Sequence, residues 1–441
     1  MNHLNSKSSR RQFLSKTVTA SSAAYMGYHL NPSAVRASTS PNEKLNIVAI
    51  GATGRAGENI SGCRSQNIIA IADVDKELLE KGAQAYPNAS RYQDFRIMLE
   101  KEADKIDGVL VGTPDHTHAP AAAMALRMKK PVYCEKPLTH TVYETRVLRK
   151  LAKEAGVATQ MGTQIHAGAN YRRVVELIRA GAIGPIREVH VWAGAKYTGG
   201  KFESGIPVPK HLDWDLWLGP APERPYSKSI HPFNWRRFWD FGTGALGDFG
   251  CHFLDLVHWA LDLNAPVKIS TQGTEFDPVT PPEWAIVDYL YPARGDAPEV
   301  KVTWYDSGRR PEMLNGLKDR NGNPFNWGGG QLFVGSEGLI LSNYGEHYLL
   351  PHDKYTSYVK PEPSIPDSIG HHEEWLDAIR TGKPTTCNFE YSGALTESVL
   401  LGVVAYKSGE ALEWDTNKFQ VTNSKKANDL LHKEYRKGWT L

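Results

Sequence analysis

A doubly wound α/β half followed by an α+β half is the fold this sequence predicts, and three observations predict it. Short continuous apolar runs alternate with helical stretches from about residue 44 to 165. The first of these runs feeds directly into a glycine-rich turn. From about Ala169 the runs give way to segments that alternate apolar and polar residues, the period of strands with one solvated face. Parallel strands buried on both faces read as the first pattern, and an open, mostly antiparallel sheet reads as the second.

The elements follow in order. Leu45 to Ile50 is a buried strand that ends at Gly51-Ala52-Thr53-Gly54-Arg55-Ala56-Gly57, where a helix should begin. Ile68 to Ala72 is a second strand, closed by Asp73, with a polar helix from Lys76 to Gln84. Gly108 to Val111 is a strand ending at Thr113-Pro114, followed by a helix from Ala119 to Met128. Pro131 to Cys134 is a strand, Thr141 to Ala155 a helix and Val157 to Met161 a further strand. In the second half, a helix from Tyr171 to Ala180 precedes alternating strands at Ile186–Trp192, Trp284–Tyr291, Glu299–Trp304 and Gln331–Val334. The last turns through Gly335-Ser336-Glu337-Gly338 into Leu339–Leu341. A helix runs from Gly244 to Leu261, and helices His371–Thr381 and Tyr391–Ser408 should pack back on the body. The long Trp-, Pro- and Gly-rich connection from Gly199 to Asn234 marks a functional loop.

Composition narrows the class. The 441 residues are 41% hydrophobic and 23% charged, enough for two packed domains. A net charge of +2 offers no strong field to nucleic acid or to an anionic membrane. The four cysteines form no CxxC pair, so unpaired buried thiols are expected, with neither a zinc site nor a disulfide framework. Residues 1–37 read as a twin-arginine export signal: Ser9-Arg10-Arg11-Gln12-Phe13-Leu14, a weakly apolar stretch from Val18 to Leu30, and a small-residue cleavage site at Val35-Arg36-Ala37. Export by the twin-arginine translocation machinery, into a periplasm, suits a protein that acquires a cofactor before it leaves the cytoplasm.

The chemistry-bearing residues sit where strands end. A glycine-rich loop that opens a helix presents backbone N–H groups to a pyrophosphate, so Gly51, Thr53, Gly54 and Arg55 are candidate dinucleotide ligands. Asp73, about twenty residues on, is placed to accept from ribose hydroxyls; it would repel a 2′-phosphate, which favours NAD over NADP. Its other reading is a helix cap. Thr113, Pro114 and His118 end the next strand, where the nicotinamide ribose would lie, while Asp115 and Thr117 read as ordinary turn or capping residues. Glu135-Lys136-Pro137 ends the strand after that. Lys136 is placed to donate to a substrate oxygen during hydride transfer. Glu135 would orient that lysine, bond the nicotinamide ribose or form a buried ion pair. The Lys136-Pro137 peptide is a candidate cis bond. In the second half, Asp248 and His252 lie four apart on one helical face, Asp248 in the first turn, with Phe249 and Phe253 on the packing side. The same spacing suits a metal, but no third ligand accompanies it, and no metal is expected.

Together, the twin-arginine leader, the glycine-rich first turn, Glu-Lys-Pro and the Gly-Asp-x-x-x-His helix resemble the glucose-fructose oxidoreductase / inositol dehydrogenase / MocA (Gfo/Idh/MocA) family over essentially all of the mature chain. The resemblance implies an NAD(P)-binding Rossmann domain at 44–165 and a substrate-binding and oligomerisation domain at 166–441. It implies that Lys136 is the catalytic lysine, His252 the acid/base and Asp248 the carboxylate that partners the histidine and binds substrate. It further implies dimers or tetramers. Thr53 and Ala56 stand where the fingerprint has glycines.

The function expected is an exported NAD-dependent oxidoreductase acting on a hydroxyl of a sugar, polyol or glycoside, with Tyr197, Trp235, Arg236, Arg237 and Trp239 as a substrate wall. Because an exported enzyme meets little free NAD, the cofactor should stay bound and be recycled in place. Two other functions compete: a redox-neutral NAD-dependent glycosidase or lyase working through transient sugar oxidation, and a non-catalytic sugar or cofactor sensor.

Overall fold

The computed structural model describes residues 43–203 and 205–441, so the expected export signal lies outside the described residues. The first half is β1 (Asn46–Ile50), α1 (Arg55–Gly62), β2 (Asn67–Ala72), α2 (Lys76–Ala83), β3 (Ser90–Tyr92), α3 (Phe95–Glu102), β4 (Gly108–Val111), α4 (Asp115–Arg127), β5 (Val132–Cys134), α5 (Val142–Ala155) and β6 (Thr159–Met161). The six strands are all parallel, in the order β3-β2-β1-β4-β5-β6. Their continuous apolar runs have the cause expected. Val48, Ile50, Val109 and Val111 face one apolar cluster, while Ile47, Ala49, Leu110 and Tyr133 face another. Both faces are dry, so neither can be polar.

Local signals set the helix ends. Asp75 accepts from the Glu77 and Leu78 N–H groups and starts α2. Thr141 and Glu144 form a capping box at α5, and Gly156 ends that helix with φ 64°. The helix expected from Ala119 begins instead at Asp115, so the segment read as a turn is the first turn of α4.

The second half is α6 (Ala169–Arg179), β7 (Ile186–Ala193), α7 (Trp214–Leu218), α8 (Gly244–Leu261), β8 (Lys268–Gly273), β9 (Ala285–Tyr291), β10 (Val300–Tyr305), β11 (Gly329–Gly335), β12 (Leu339–Ser342), β13 (His347–Leu350), α9 (His371–Thr381), α10 (Phe389–Ser408), β14 (Leu412–Asp415), β15 (Gln420–Val421) and α11 (Lys425–Asp429). Its nine strands run β13-β12-β11-β7-β10-β9-β8-β14-β15. Every pair is antiparallel except β7 with β10.

The described chain is one compact unit. Val48 and Val109 belong to the same apolar cluster as Leu254 and Val257 of α8, Trp304 of β10 and Leu401 of α10. The late helix α9 packs on the parallel sheet, with Trp375, Leu376 and Ile379 in the cluster of Ile47 and Ala49. A cut at 165/166 therefore divides the sequence more sharply than it divides the packing. A buried trio, His166, Asp255 and Cys387, brings donor atoms within 4.8 Å of one another. His166 Nδ1 already lies 2.9 Å from Asp255, and the Tyr391 hydroxyl donates to the same carboxylate at 2.8 Å, which ties α8 to α10. All four cysteines are buried and free. Among the described residues no helix is long and apolar enough to cross a membrane.

Candidate active site

The carboxyl ends of the parallel strands open onto a cavity of about 950 Å³ between the two sheets, at the upper end of the ~300–1,000 Å³ typical of small-molecule sites. At one end lies the glycine-rich turn. Gly51 has φ 96°, and a Cβ there would lie 2.9 Å from Ala56 Cβ and 3.1 Å from the Gly112 carbonyl oxygen, so neither backbone nor space admits a side chain. Gly54, at φ 58°, starts α1 with no side-chain cap, and a Cβ there would meet nothing within 4 Å. The bare N-terminus of α1 thus faces open space, which fits a pyrophosphate. Asp73 follows at the end of β2. Its carboxylate accepts from Ala52 N and Asp75 N, each at 3.0 Å, and burial pushes it up to about 6. It is not a helix cap; Asp75 fills that role. Thr53, Arg55, Thr113 and Pro114 also line the cavity, with Arg55 paired to Glu58. These residues fit a dinucleotide. The loop and α1 would hold its phosphates, and Asp73 its adenosine ribose.

At the other end, two distant segments meet. The Lys136 ammonium donates to the Asp248 carbonyl oxygen at 2.9 Å and pairs with the Asp248 carboxylate. The Lys136-Pro137 peptide is cis. Burial opposes the Asp248 charge, but Lys136, Arg236 and the Tyr197 hydroxyl outweigh it and hold the carboxyl well below its usual range. Arg236 Nε lies 3.5 Å from Asp248 Oδ1. His252, one turn further along α8, is kept neutral: burial and then the Lys136 charge push its value down to about 3. Its Nδ1 is buried without a hydrogen-bond partner. Asp115 sits behind the pair, accepts from the Thr243 hydroxyl at 2.8 Å, and is pushed up to about 7 by burial and by Asp248.

Several expected roles change. Asp248 binds Lys136, not His252; α8 starts at Gly244 as expected, which leaves Asp248 just past the first turn in which it was expected. Glu135 does not pair with the Lys136 ammonium. It accepts from Asn59 at 3.0 Å and Gln164 at 2.9 Å, and burial raises it. His118 does not line the cavity. Its ring is buried, with Nδ1 2.7 Å from the Pro137 carbonyl and Nε2 2.8 Å from the Thr113 carbonyl, so it braces the two strand-end turns. Of the expected wall, Tyr197, Trp235 and Arg236 face the cavity. Trp239 is turned away, donating to the Asp277 carbonyl at 3.0 Å, and Arg237 is absent from the lining. Asp115, Gln164 and Tyr344 line the site without having been singled out for it. Asp115 had a signal, its place just beyond the strand-ending Thr113-Pro114; Tyr344 had none.

The long connection between β7 and α8 forms a strap. It carries its own aromatic core, including Trp214, Trp217, Trp235, Phe238 and Phe241. It crosses to the Rossmann half, where Asp75 accepts from His211 and His231, each at 2.9 Å, and where the Lys76 N–H donates to the His211 carbonyl at 2.8 Å. On its far side Arg436 donates to the Gly219 carbonyl at 3.1 Å. Leu216, Trp217 and His231 of the strap line the same cavity as Asp73 and Leu78.

Comparison with known proteins agrees with this architecture. Residues 45–163 match the oxidoreductase family, NAD-binding Rossmann fold, and residues 182–297 match the oxidoreductase family, C-terminal alpha/beta domain. Inositol 2-dehydrogenase of Rubrobacter xylanophilus is 27% identical over 147 residues, 31% of this chain and 41% of that protein. Levoglucosan dehydrogenase of Pseudarthrobacter phenanthrenivorans is 27% identical over 196 residues, 43% of this chain and 41% of that protein. In both, the aligned stretch is less than half of the relative's length. The crystal structure of GenD2 from gentamicin A biosynthesis, in complex with NAD, superposes with a TM-score of 0.58 at 18% identity, covering 88% of this chain and all of that one. The two family matches together span more than half of the 441 residues. With a Rossmann sheet, a mixed second sheet and a shared cavity between them, this chain belongs to the Gfo/Idh/MocA oxidoreductase family and carries its NAD-binding domain.

Proposed function

We propose that the protein transfers hydride between NAD and a carbon-bound hydroxyl of a sugar, polyol or glycoside. One observation carries this reading: Lys136 from the NAD-binding half and Asp248 and His252 from α8 converge on a cavity whose far end is the glycine-rich turn and Asp73. NAD, when bound, supplies the hydride acceptor. His252, neutral because it is buried, takes the hydroxyl proton as the C–H hydride departs. Lys136 donates to the same oxygen as it becomes a carbonyl, where a fixed positive donor stabilises developing charge. Asp248 holds Lys136 in place, and Arg236 and Tyr197 hold Asp248. The names of the inositol and levoglucosan dehydrogenases support a polyhydroxylated substrate. Asp73, at the ribose position, supports NAD over NADP.

The strap supports a second element of the reading. With anchors on Asp75 and on Arg436, it covers the adenosine end of the cavity and would slow cofactor exchange. A retained cofactor suits export through the twin-arginine route to a periplasm, which the leader's sequence supports. It also favours, as the alternative outcome, a redox-neutral cleavage in which the hydride returns within one turnover. Homodimers or homotetramers would form through the open face of the nine-stranded sheet.

The test is to incubate purified protein with a panel of sugars and aryl glycosides without added cofactor. Lasting absorbance of reduced nicotinamide assigns the dehydrogenase, and aglycone release without it assigns the redox-neutral reaction. If denatured protein releases no dinucleotide and added NAD does not bind, the reading is wrong.

A further inference from the structure

The strap's second anchor belongs to a segment that no motif marks. Residues 430–441 follow α11 and run from α5, past the strap, to α3. At α5 the Leu431 carbonyl accepts from the Tyr143 N–H at 2.9 Å, and the Tyr435 hydroxyl donates to Glu144 at 2.7 Å. The Lys433 ammonium lies 3.4 Å from the same carboxylate. At α3 the buried Trp439 ring packs on Phe95, with centroids 6.0 Å apart, and the Arg96 guanidinium lies 4.5 Å from its centroid. Between these two moorings Arg436 holds α7. Its guanidinium donates to the Asp215 carbonyl at 2.6 Å and the Gly219 carbonyl at 3.1 Å, and it pairs with the Asp215 carboxylate. Its backbone N–H donates to the Pro220 carbonyl at 3.2 Å. A helix of five residues has few internal bonds, so what binds its free carbonyls decides where it sits. Leu216 and Trp217 of α7 line the cavity with Asp73 and Leu78, and so does Phe95, the ring beneath Trp439.

We infer that residues 430–441 are a clasp. Arg436 and Trp439 are positioning residues that fix α7 and Phe95 around the adenosine end, and a bound dinucleotide leaves only after α7 comes off Arg436. Charge-assisted bonds from one guanidinium to two carbonyls and a carboxylate open seldom. Their loss frees a short surface element and leaves the parallel sheet intact, the pattern of a local opening. The inference rests on NAD binding at Asp73 and names what governs its exit.

The experiment compares wild type with Arg436→Ala and Trp439→Ala by two measurements. One is the release of radiolabelled NAD from loaded protein into excess unlabelled NAD. The other is amide hydrogen exchange of the unloaded protein. Both variants should release NAD at least tenfold faster, and α7 should exchange at least tenfold faster in Arg436→Ala, while β1 and β4 keep wild-type rates. Trp439→Phe keeps a ring on Phe95 and should restore slow release to within about threefold of wild type. Release at the wild-type rate from both alanine variants overturns the clasp. Faster exchange across β1 and β4 as well overturns it too, because that marks general loosening. If wild type binds NAD but exchanges hydride with no sugar or glycoside, the oxidoreductase reading falls and the release rates still decide the clasp. If wild type binds no NAD, both fall.

Discussion

The two ends of the cavity are built by different logic. The dinucleotide end comes from the ends of three neighbouring strands, Gly51, Asp73 and Thr113, each delivered by a parallel strand to one edge of one sheet. The reacting end comes from one such strand end, Lys136, and from a helix that begins more than a hundred residues later. The glycine-rich turn and Asp73 need only the Rossmann topology to form, with the strap added over them. The second end forms only if the two halves keep their relative position to within a hydrogen bond. Substitutions at the two ends should therefore fail differently, the first in cofactor affinity and the second in turnover.

The largest effect is expected from His252→Asn. Loss of a general base costs on the order of 10³ in kcat, and NAD binding should stay within about twofold by titration, a shift of only a few tenths of a kcal/mol. A parallel loss of NAD affinity would break the division between the two ends. Lys136→Met comes next, with kcat down by about 10²–10³ as for loss of a charge-stabilising donor. Pre-steady-state kinetics should place that loss in the hydride step. Asp73→Asn should do the reverse: a Kd for NAD raised about tenfold or more, as expected from weakened bonds to a charged acceptor, with turnover at saturating NAD little changed.

The smallest effect is on pH dependence. Since His252 is neutral down to about 3, it should contribute no acid limb of its own to the kcat/KM profile at the ordinary histidine value of ~6.5. Burial and Asp248 push Asp115 up to about 7, and its charge above that pH faces Lys136 and Asp248, so a change in rate near pH 7 should come from Asp115. Asp115→Asn should remove that change. Stability gives the same group a second readout. The folded protein holds the Asp115 proton more tightly than the unfolded chain, whose ordinary value is 3.8. Its contribution is therefore complete below that value and is lost as pH rises through 7. Asp115→Asn should thus gain stability relative to wild type at pH 8 compared with pH 5, measured by thermal unfolding.

How much was legible in the sequence follows the same division. β1, the glycine-rich turn, Asp73 and Lys136 were readable because strand, turn and ligand are contiguous, and a strand's end fixes where its next residue points. Asp248 and His252 were readable as a helical face. Their partners were not, because periodicity says that a face is apolar or polar without saying what it meets. Hence Asp248 was expected on His252 and is found on Lys136. Phe249 and Phe253 read as packing residues and line a pocket, while Trp239 and Arg237 read as a wall and lie outside it. His118 illustrates the converse. Its place at the ligand edge was right, but its ring turns inward to two carbonyls. The three-residue strand β3 carries too few residues to show a period. Tyr344, far from any motif, reaches the cavity only because β12 and β13 bring it there.

The central claim is that hydride passes between a sugar carbon and NAD under Lys136. It is tested most directly by following the hydride. NAD-loaded protein is mixed with glycosides deuterated at every carbon, quenched within one turnover, and the released dinucleotide is weighed by mass spectrometry. The account predicts deuterium on the nicotinamide in wild type and a transfer rate reduced about 10²–10³-fold in Lys136→Met. An unlabelled nicotinamide in wild type, with NAD bound and glycoside consumed, would contradict it.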